Sequence, residues 1–323
     1  MRMDKVCAIV VTFNRKELLR TCIKALQKQT RSLQGILVVD NASTDGTANM
    51  LASDFPSVKV ITLEHNTGGA GGFYSGLKQA HESGYDMFWI MDDDAEPEPN
   101  ALDLLLSEPG TSREEVACVC GKVLDRAGGI AVAHRGYFNS FDEIIATSVQ
   151  RPVPKEAYET PVVEIDTLSF VGPLIKRAAV DKIGYPMKEL FIHHDDIEYS
   201  IRLRQIGRIL LIGASNIRHF GEASQIDTSG VGASRSIDYG KLWIRYYGKR
   251  NQTYIAKREA IHAHRFLLSL LRCLYQVLRE SAHVLSHEDH KLRRIILPYL
   301  AIYNGLRGNF DNDVPRRWLY GKW

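Results

Sequence analysis

Met87-Phe-Trp-Ile-Met-Asp-Asp-Asp94 joins an unbroken apolar run to three adjacent carboxylates. An apolar stretch without polar alternation reads as a strand buried on both faces, as in a parallel sheet covered by helices. The acids then fall at the carboxyl end of the strand, where open α/β sheets bind their ligands.

Upstream, the same design recurs. Val6 to Phe13, Ile36 to Asp40 and Val58 to Leu63 are further apolar strand candidates. Between them lie a helical pattern with Leu19, Cys22, Ile23 and Leu26 on one face, a short helix through Met50 and Leu51, and a helix from about Tyr74 to Ser83. This alternation predicts an α/β, Rossmann-like domain: a mostly parallel sheet with helices on both faces. The polar clusters Thr12 to Arg15, Asp40 to Asp45, His65 to Gly72 and Asp92 to Asp94 then converge at the strand ends. Downstream, strands are expected at Val116 to Leu124, Thr167 to Ile175 and Ile209 to Ile212. From about residue 241 the pattern is helical, so we expect a catalytic domain over 1–240 and a basic amphipathic helical domain over 241–323.

The 323 residues suffice for a large core without disulfides. The five cysteines (Cys7, Cys22, Cys118, Cys120, Cys273) are odd in number and form no Cys-x-x-Cys pair, which favours a reducing cytosol over a metal or disulfide framework. No secretory signal and no 18-residue apolar window is seen, so Asn251-Gln-Thr253 is not read as a glycosylation site. The net charge of +3 hides an asymmetry: residues 241–323 carry 16 Lys/Arg against 6 Asp/Glu, and the remainder 25 against 32. Nothing in the sequence points to nucleic acid. A basic tail on an acidic body suits an anionic membrane surface, and Arg265, Arg272 and Arg279 form a basic stripe beside Leu267, Leu270, Leu271, Leu274, Val277 and Leu278. The same apolar stripe could instead pack on the catalytic domain or a second subunit.

Four motifs carry chemistry. Adjacent carboxylates at Asp92, Asp93 and Asp94 repel one another unless a cation or solvent screens them, and a divalent ion bridging carboxylates and phosphates answers that need. The bland alternative is a solvated acidic turn. Asn66-Thr-Gly-Gly-Ala-Gly-Gly-Phe73 permits close backbone approach to an anionic ligand ahead of a helix, though it is neither a P-loop nor a dinucleotide fingerprint. In Phe191-Ile-His-His-Asp-Asp-Ile-Glu-Tyr199 the acids open a helix ending near Gly207; one could be an N-cap, but two acids behind His193 and His194 exceed what capping needs. Arg218-His219-Phe220 follows a strand, and a lone histidine gains meaning only with the acids.

Val10-Val-Thr-Phe-Asn-Arg15, Val38-Val-Asp-Asn-Ala-Ser-Thr-Asp-Gly46, Asn66 with Gly68 and Gly69, Asp92-Asp-Asp94, His194-Asp-Asp196 and His219 occur in the order and approximate spacing of a family-2 glycosyltransferase. Over about residues 5–225 the chain resembles that family, whose glycosyltransferase A-type (GT-A) fold uses an inverting mechanism. The resemblance implies that Thr12, Asn14, Arg15, Asp40 and Asn41 hold the nucleoside, with Asn66, Gly68, Gly69 and the acids Asp92 and Asp93 near the ribose and diphosphate. It implies Mn²⁺ or Mg²⁺ on Asp92, Asp94 and His219, with Asp196 as catalytic base beside Asp195. The glycine-rich loop and Trp89-Ile-Met-Asp-Asp-Asp94 look most like galactofuranosyltransferases, which take a UDP-sugar donor to a bacterial surface glycan or its lipid-linked precursor. The cysteine pattern and the basic tail point to a cytoplasmic protein, with attachment to the inner face of the membrane and homo-oligomers both open. Rhamnosyltransferases using dTDP-rhamnose share much of the framework. Family members often carry an aromatic residue where this chain has His194, so His193 and His194 are expected on the acceptor side. A sugar nucleotidyltransferase would carry glycine in the loop after the first strand, and Thr12-Phe-Asn-Arg-Lys-Glu-Leu18 has none. A non-catalytic nucleotide-sugar binder would not explain the gathering of acids and histidines.

Overall fold

The computed structural model describes residues 4–221 and 238–321, which form two compact units. The first comprises residues 4–137, 152–188 and 195–221. Its strands and helices begin β1 (Val6–Thr12), α1 (Lys16–Gln27), β2 (Gly35–Asp40), α2 (Thr47–Asp54), β3 (Lys59–Thr62), α3 (Gly68–Glu82), β4 (Met87–Asp92), β5 (Ala95–Pro97) and α4 (Ala101–Ser107). After β6 (Val116–Leu124), β7 (Arg135–Phe138) and β8 (Gln150–Pro152) belong to a second, smaller sheet. Then come β9 (Val162–Ile165), β10 (Thr167–Leu168), β11 (Pro173–Lys176), α5 (Arg177–Ile183), α6 (Asp195–Ile206) and β12 (Arg208–His219).

The main sheet runs β3-β2-β1-β4-β11-β6-β12-β5, with β9 also on β12. Its first half is parallel, β3-β2-β1-β4, whereas β11 runs antiparallel to both β4 and β6. Every residue of β1 and the apolar part of β4 is buried, as the continuous apolar runs require. One face packs on α1, α2 and α4 through Leu19, Ile23, Met50 and Leu102. The other packs Phe73, Leu77, Tyr199 and Leu203 of α3 and α6.

Three expectations are corrected. The third helix begins at Gly68, not near Tyr74, so most of the glycine-rich stretch is helix rather than loop. The glycines let α3 approach the sheet closely: a Cβ at Gly72 would lie 2.4 Å from Val11 Cγ1, and one at Gly76 2.5 Å from Ile9 Cγ2. The expected strand Thr167 to Ile175 is split into β10, which pairs antiparallel with β7, and β11 in the main sheet. The turn between them passes through Gly172 at φ 75°, a left-handed conformation that favours glycine. Finally, β12 runs on to His219, far beyond Ile212, with a register shift between Ile212 and Asn216.

The second unit comprises residues 138–151, 189–194 and 238–321. It is built on α7 (Leu242–Glu259), α8 (Ala263–His287), α9 (Lys291–Arg307) and α10 (Val314–Tyr320). Phe191, Leu242, Tyr246, Tyr247, Leu297, Ala301 and Leu319 form its core. Of the apolar stripe read on α8, Val277 faces inward with Ser269, Cys273 and Ser281, while Leu267, Leu271 and Leu278 are exposed. The wide apolar row therefore points outward, and small residues take the inner face. Among the described residues no helix is long and apolar enough to cross a membrane.

Candidate active site

The ends of β1, β4 and β12 meet at Asp92, Asp93 and Asp94. Asp93 is buried, with Thr12 Oγ1 donating to its Oδ2 at 2.7 Å and Arg15 Nη1 approaching its Oδ1 at 3.3 Å. Burial pushes the Asp93 carboxyl up to about 6, against the pull of Thr12 and Arg15. Arg15 Nη1 also donates to Asp94 Oδ2 at 2.7 Å. The guanidinium is itself half-exposed: partial burial opposes its charge, but Asp93 and Asp94 outweigh that and raise its pKa.

His219 reaches this cluster through sheet pairing. β5 leaves the acidic turn and runs antiparallel to β12, with Ala95 opposite His219, and the Phe220 amide donates to the Asp94 carbonyl at 2.9 Å. Asp92, Asp94 and His219 each bring one potential ligand atom to within 4.8 Å of the others. His219 Nε2 lies 3.0 Å from Asp94 Oδ1, yet that buried oxygen makes no aligned hydrogen bond. Two carboxylates and an imidazole whose electron pairs converge in this way fit a hard or borderline divalent cation. Burial and the neighbouring Asp94 push Asp92 well above the usual carboxylate range, a cost that a bound cation reverses. For Asp94, burial is outweighed by His219 and Arg15, and its pKa is lowered. Burial likewise opposes charge on His219, but Asp94 and Asp92 raise its pKa.

The remaining residues expected around the nucleoside knit the neighbouring loops together. Asn14, in the left-handed region at φ 54°, accepts from the Thr44 amide at 2.7 Å, and its own amide donates to Ser43 Oγ at 3.0 Å. Asp40 accepts from the Ser43 amide at 2.9 Å. Buried Asn41 donates to the Gly68 carbonyl at 2.8 Å and accepts from the Thr67 amide at 2.8 Å, while Asn66 Oδ1 accepts from the Gly68 amide at 2.8 Å. Gly69 has open space where a side chain would lie.

Asp195 and Asp196 open α6. The Asp196 side chain is partly exposed and accepts from the Ile197 amide at 2.7 Å. Burial raises its pKa to about 6, moderated by that amide and by the positive charge of Arg135. Burial and Asp196 together raise Asp195 to about 8. A pair separated in this way offers one carboxylate ionised at neutral pH beside one that holds its proton more tightly. His193 and His194 precede the pair and belong to the second compact unit.

Sequence reasoning missed His134 and Arg135. The His134 ring packs edge-on against His219 at 5.0 Å, and its Nδ1 lies 2.7 Å from Ser169 Oγ. Burial, His219 and Arg135 hold its pKa down to about 3, so it stays neutral. Arg135 is fully buried, with Nε and Nη2 donating to the Gly121 and Val171 carbonyls at 3.0 and 2.8 Å. Of these consecutive residues, His134 packs on His219, and the charge of Arg135 favours ionised Asp196. Only an unusual His-Arg pair at the start of a strand hints at them in the sequence.

Solved structures with a similar fold include S. aureus TarS 1-349 in complex with UDP-GlcNAc, at TM-score 0.54 and 16% identity, covering 99% of this chain and 93% of that one. Another is GalNAc-T7 with UDP, GalNAc and Mn²⁺, at TM-score 0.55 and 15% identity, covering 76% of this chain and 51% of that one. The architecture is of the GT-A type, with a C-terminal helical segment. Among curated proteins, the chain is 33% identical over 207 residues to galactofuranosyltransferase GlfT1 of Mycolicibacterium smegmatis, covering 63% of this chain and 67% of that protein. It is 28% identical to the Mycobacterium tuberculosis protein of the same name, over 63% of this chain and 66% of that one. The family model described as glycosyl transferase family 2 matches residues 7–180, more than half of the chain. The chain therefore belongs to glycosyl transferase family 2.

Proposed function

We propose that this protein is an inverting, metal-dependent galactofuranosyltransferase that moves galactofuranose from UDP-galactofuranose to a hydroxyl of a bacterial surface glycan or its lipid-linked precursor. The observation that carries this reading is the convergent Asp92-Asp94-His219 triad at the strand ends. The donor sugar is supported by the likeness to the mycobacterial galactofuranosyltransferases.

In the proposed reaction Asp196 accepts the proton of the acceptor hydroxyl. The freed oxygen forms a bond to the anomeric carbon from the side opposite the diphosphate. The bond from that carbon to the phosphate oxygen breaks, and its electron pair leaves with UDP. Mn²⁺ or Mg²⁺ held by Asp92, Asp94 and His219 would neutralise charge on the departing diphosphate. Thr12, Asn14, Arg15, Asp40 and Asn41 would line the nucleoside side, with Asn66, Gly68, Gly69 and Asp93 near the ribose and diphosphate. His193 and His194 would face the acceptor. Residues 1–240 would carry the chemistry and 241–323 the accessory helices.

Donor choice tests this reading. Purified protein incubated with Mn²⁺ or Mg²⁺ and a panel of nucleotide sugars is expected to release UDP selectively from UDP-galactofuranose. Release of dTDP from dTDP-rhamnose would keep the transferase and discard the sugar.

We further infer that α8 attaches the protein to the inner face of the cytoplasmic membrane. Leu267, Leu268, Leu271, Tyr275, Leu278 and Leu285 are all more than half exposed along it, flanked by exposed Arg272 and Arg279. Anionic lipid matches both the leucines and the flanking positive charge. The protein is expected to float with vesicles containing about a third phosphatidylglycerol and to leave them when Leu271 and Leu278 are both replaced by Ser. Concentration-dependent dimers with no flotation would assign the row to a second subunit.

A further inference from the structure

Just before α6 the chain takes a conformation that side chains rarely adopt. Phe191, His193 and His194 have φ of 65°, 65° and 64°. In this left-handed region Cβ crowds the carbonyl oxygen, and such backbone persists only where its surroundings over-determine it. The surroundings here are two side chains of α7.

Asn251 is fully buried, and its Nδ2 lies 2.9, 3.0 and 2.8 Å from the carbonyl oxygens of Leu190, Ile192 and His193. Arg250 is also fully buried, and its Nη2 donates to the carbonyls of Glu189 and Leu190 at 3.2 and 3.0 Å. The two are locked together, because Arg250 Nε donates to Asn251 Oδ1 at 2.9 Å. That contact fixes which way the amide points: oxygen to the guanidinium, nitrogen to the carbonyls. Asn312 Oδ1 holds Arg250 Nη1 at 2.9 Å, and the rings of Tyr246, Tyr247 and Phe310 surround the guanidinium at 5.6, 5.1 and 5.2 Å. The donors of a buried cation and a buried amide are thus directed at one irregular stretch of main chain. Apolar side chains could pack α7 at these positions without the cost of desolvating a charge.

We propose that Arg250 and Asn251 are positioning residues for the acceptor side of the reaction. They hold residues 189–194 in an irregular conformation, left-handed at Phe191, His193 and His194, and the same stretch leads directly into Asp195 and Asp196. They act through the main chain and touch no substrate. The inference rests on reading Asp196 as the base, and it assigns a role in turnover to a helix outside the family-matched region of 7–180.

The test uses the full chain carrying Asn251→Ala and, separately, Arg250→Lys, which keeps the charge but loses the planar fork. Three quantities are measured: amide hydrogen exchange over 189–197, UDP affinity by calorimetry in the presence of Mn²⁺, and UDP release from UDP-galactofuranose with water as acceptor. Asn251→Ala is expected to speed exchange over 189–197, to leave UDP affinity within about twofold, and to lower kcat at least about tenfold with donor KM little changed. Arg250→Lys is expected to fall between it and the wild type, and it carries the test if Asn251→Ala does not fold. Unchanged exchange over 189–197, or faster exchange with unchanged kcat, overturns the proposal. So does a loss of UDP affinity that matches the loss of turnover, which would mean general damage to packing. If the wild type releases no UDP from UDP-galactofuranose, the proposed donor fails instead, and the exchange measurement still decides whether the pair holds this segment.

Discussion

Replacing Asp196 with Asn is expected to lower sugar transfer by about 10²–10⁴-fold, the range supplied by a positioned general base. UDP affinity should stay within about twofold, because the substitution keeps the side-chain shape and its acceptor for the Ile197 amide. The pH profile gives a second reading of the same group. Burial raises the Asp196 pKa to about 6, and the base works only when ionised. Transfer by the wild type should therefore be full above neutrality and fall as pH drops through about 6. Residual activity of Asp196→Asn should lose that limb. A variant that loses UDP affinity along with activity would move Asp196 out of the base role, and an unchanged acid limb would assign the titration to another group.

Asp94→Asn is the second substitution expected to have a large effect. The carboxylate joins His219 and Arg15, and it belongs to the triad whose ligand atoms lie within 4.8 Å of one another. An amide keeps the shape but removes the charge that a divalent cation needs. Binding of Mn²⁺, followed by calorimetry or by its electron paramagnetic resonance signal, should weaken at least about tenfold. Turnover should fall by at least about 100-fold, since charge neutralisation at a leaving phosphate contributes several kcal/mol. Asp93→Asn serves as the contrast, because Asp93 is held by Thr12 and Arg15 and lies outside the triad. Equal loss of Mn²⁺ affinity in both variants would mean a diffuse acidic patch rather than a defined site.

Much of the first compact unit was legible because its strands are buried on both faces and so appear as unbroken apolar runs. β1, β2 and β4 fall close to their expected places, and the acids sit at the end of β4 as the pattern required. Glycine misled in one place. Gly68 to Gly72 reads as a loop by propensity, but the close approach of Gly72 to Val11 packs the stretch on β1, where it forms the start of α3. The site was less legible where it depends on pairing between distant segments. His219 meets Asp94 because β5 and β12 are neighbours, and no local pattern states that neighbourhood. His134 and Arg135 were missed for the same reason. Asn251 was read only as part of a glycosylation sequon, yet its side chain is fully buried against main-chain carbonyls.

The glycines of α3 also bear on how the proposed donor side of the site keeps its form. Gly68, Gly69, Gly71, Gly72 and Gly76 all lie in this one helix, and an interior glycine costs roughly 1 kcal/mol relative to alanine. Detached from the sheet, such a segment would melt. Its helicity is borrowed from the strands beneath it, so order in β1 and order at the Asn66 turn rise and fall together. The rim proposed to face the nucleotide is then one cooperative unit with the centre of the sheet, not a flap that opens on its own.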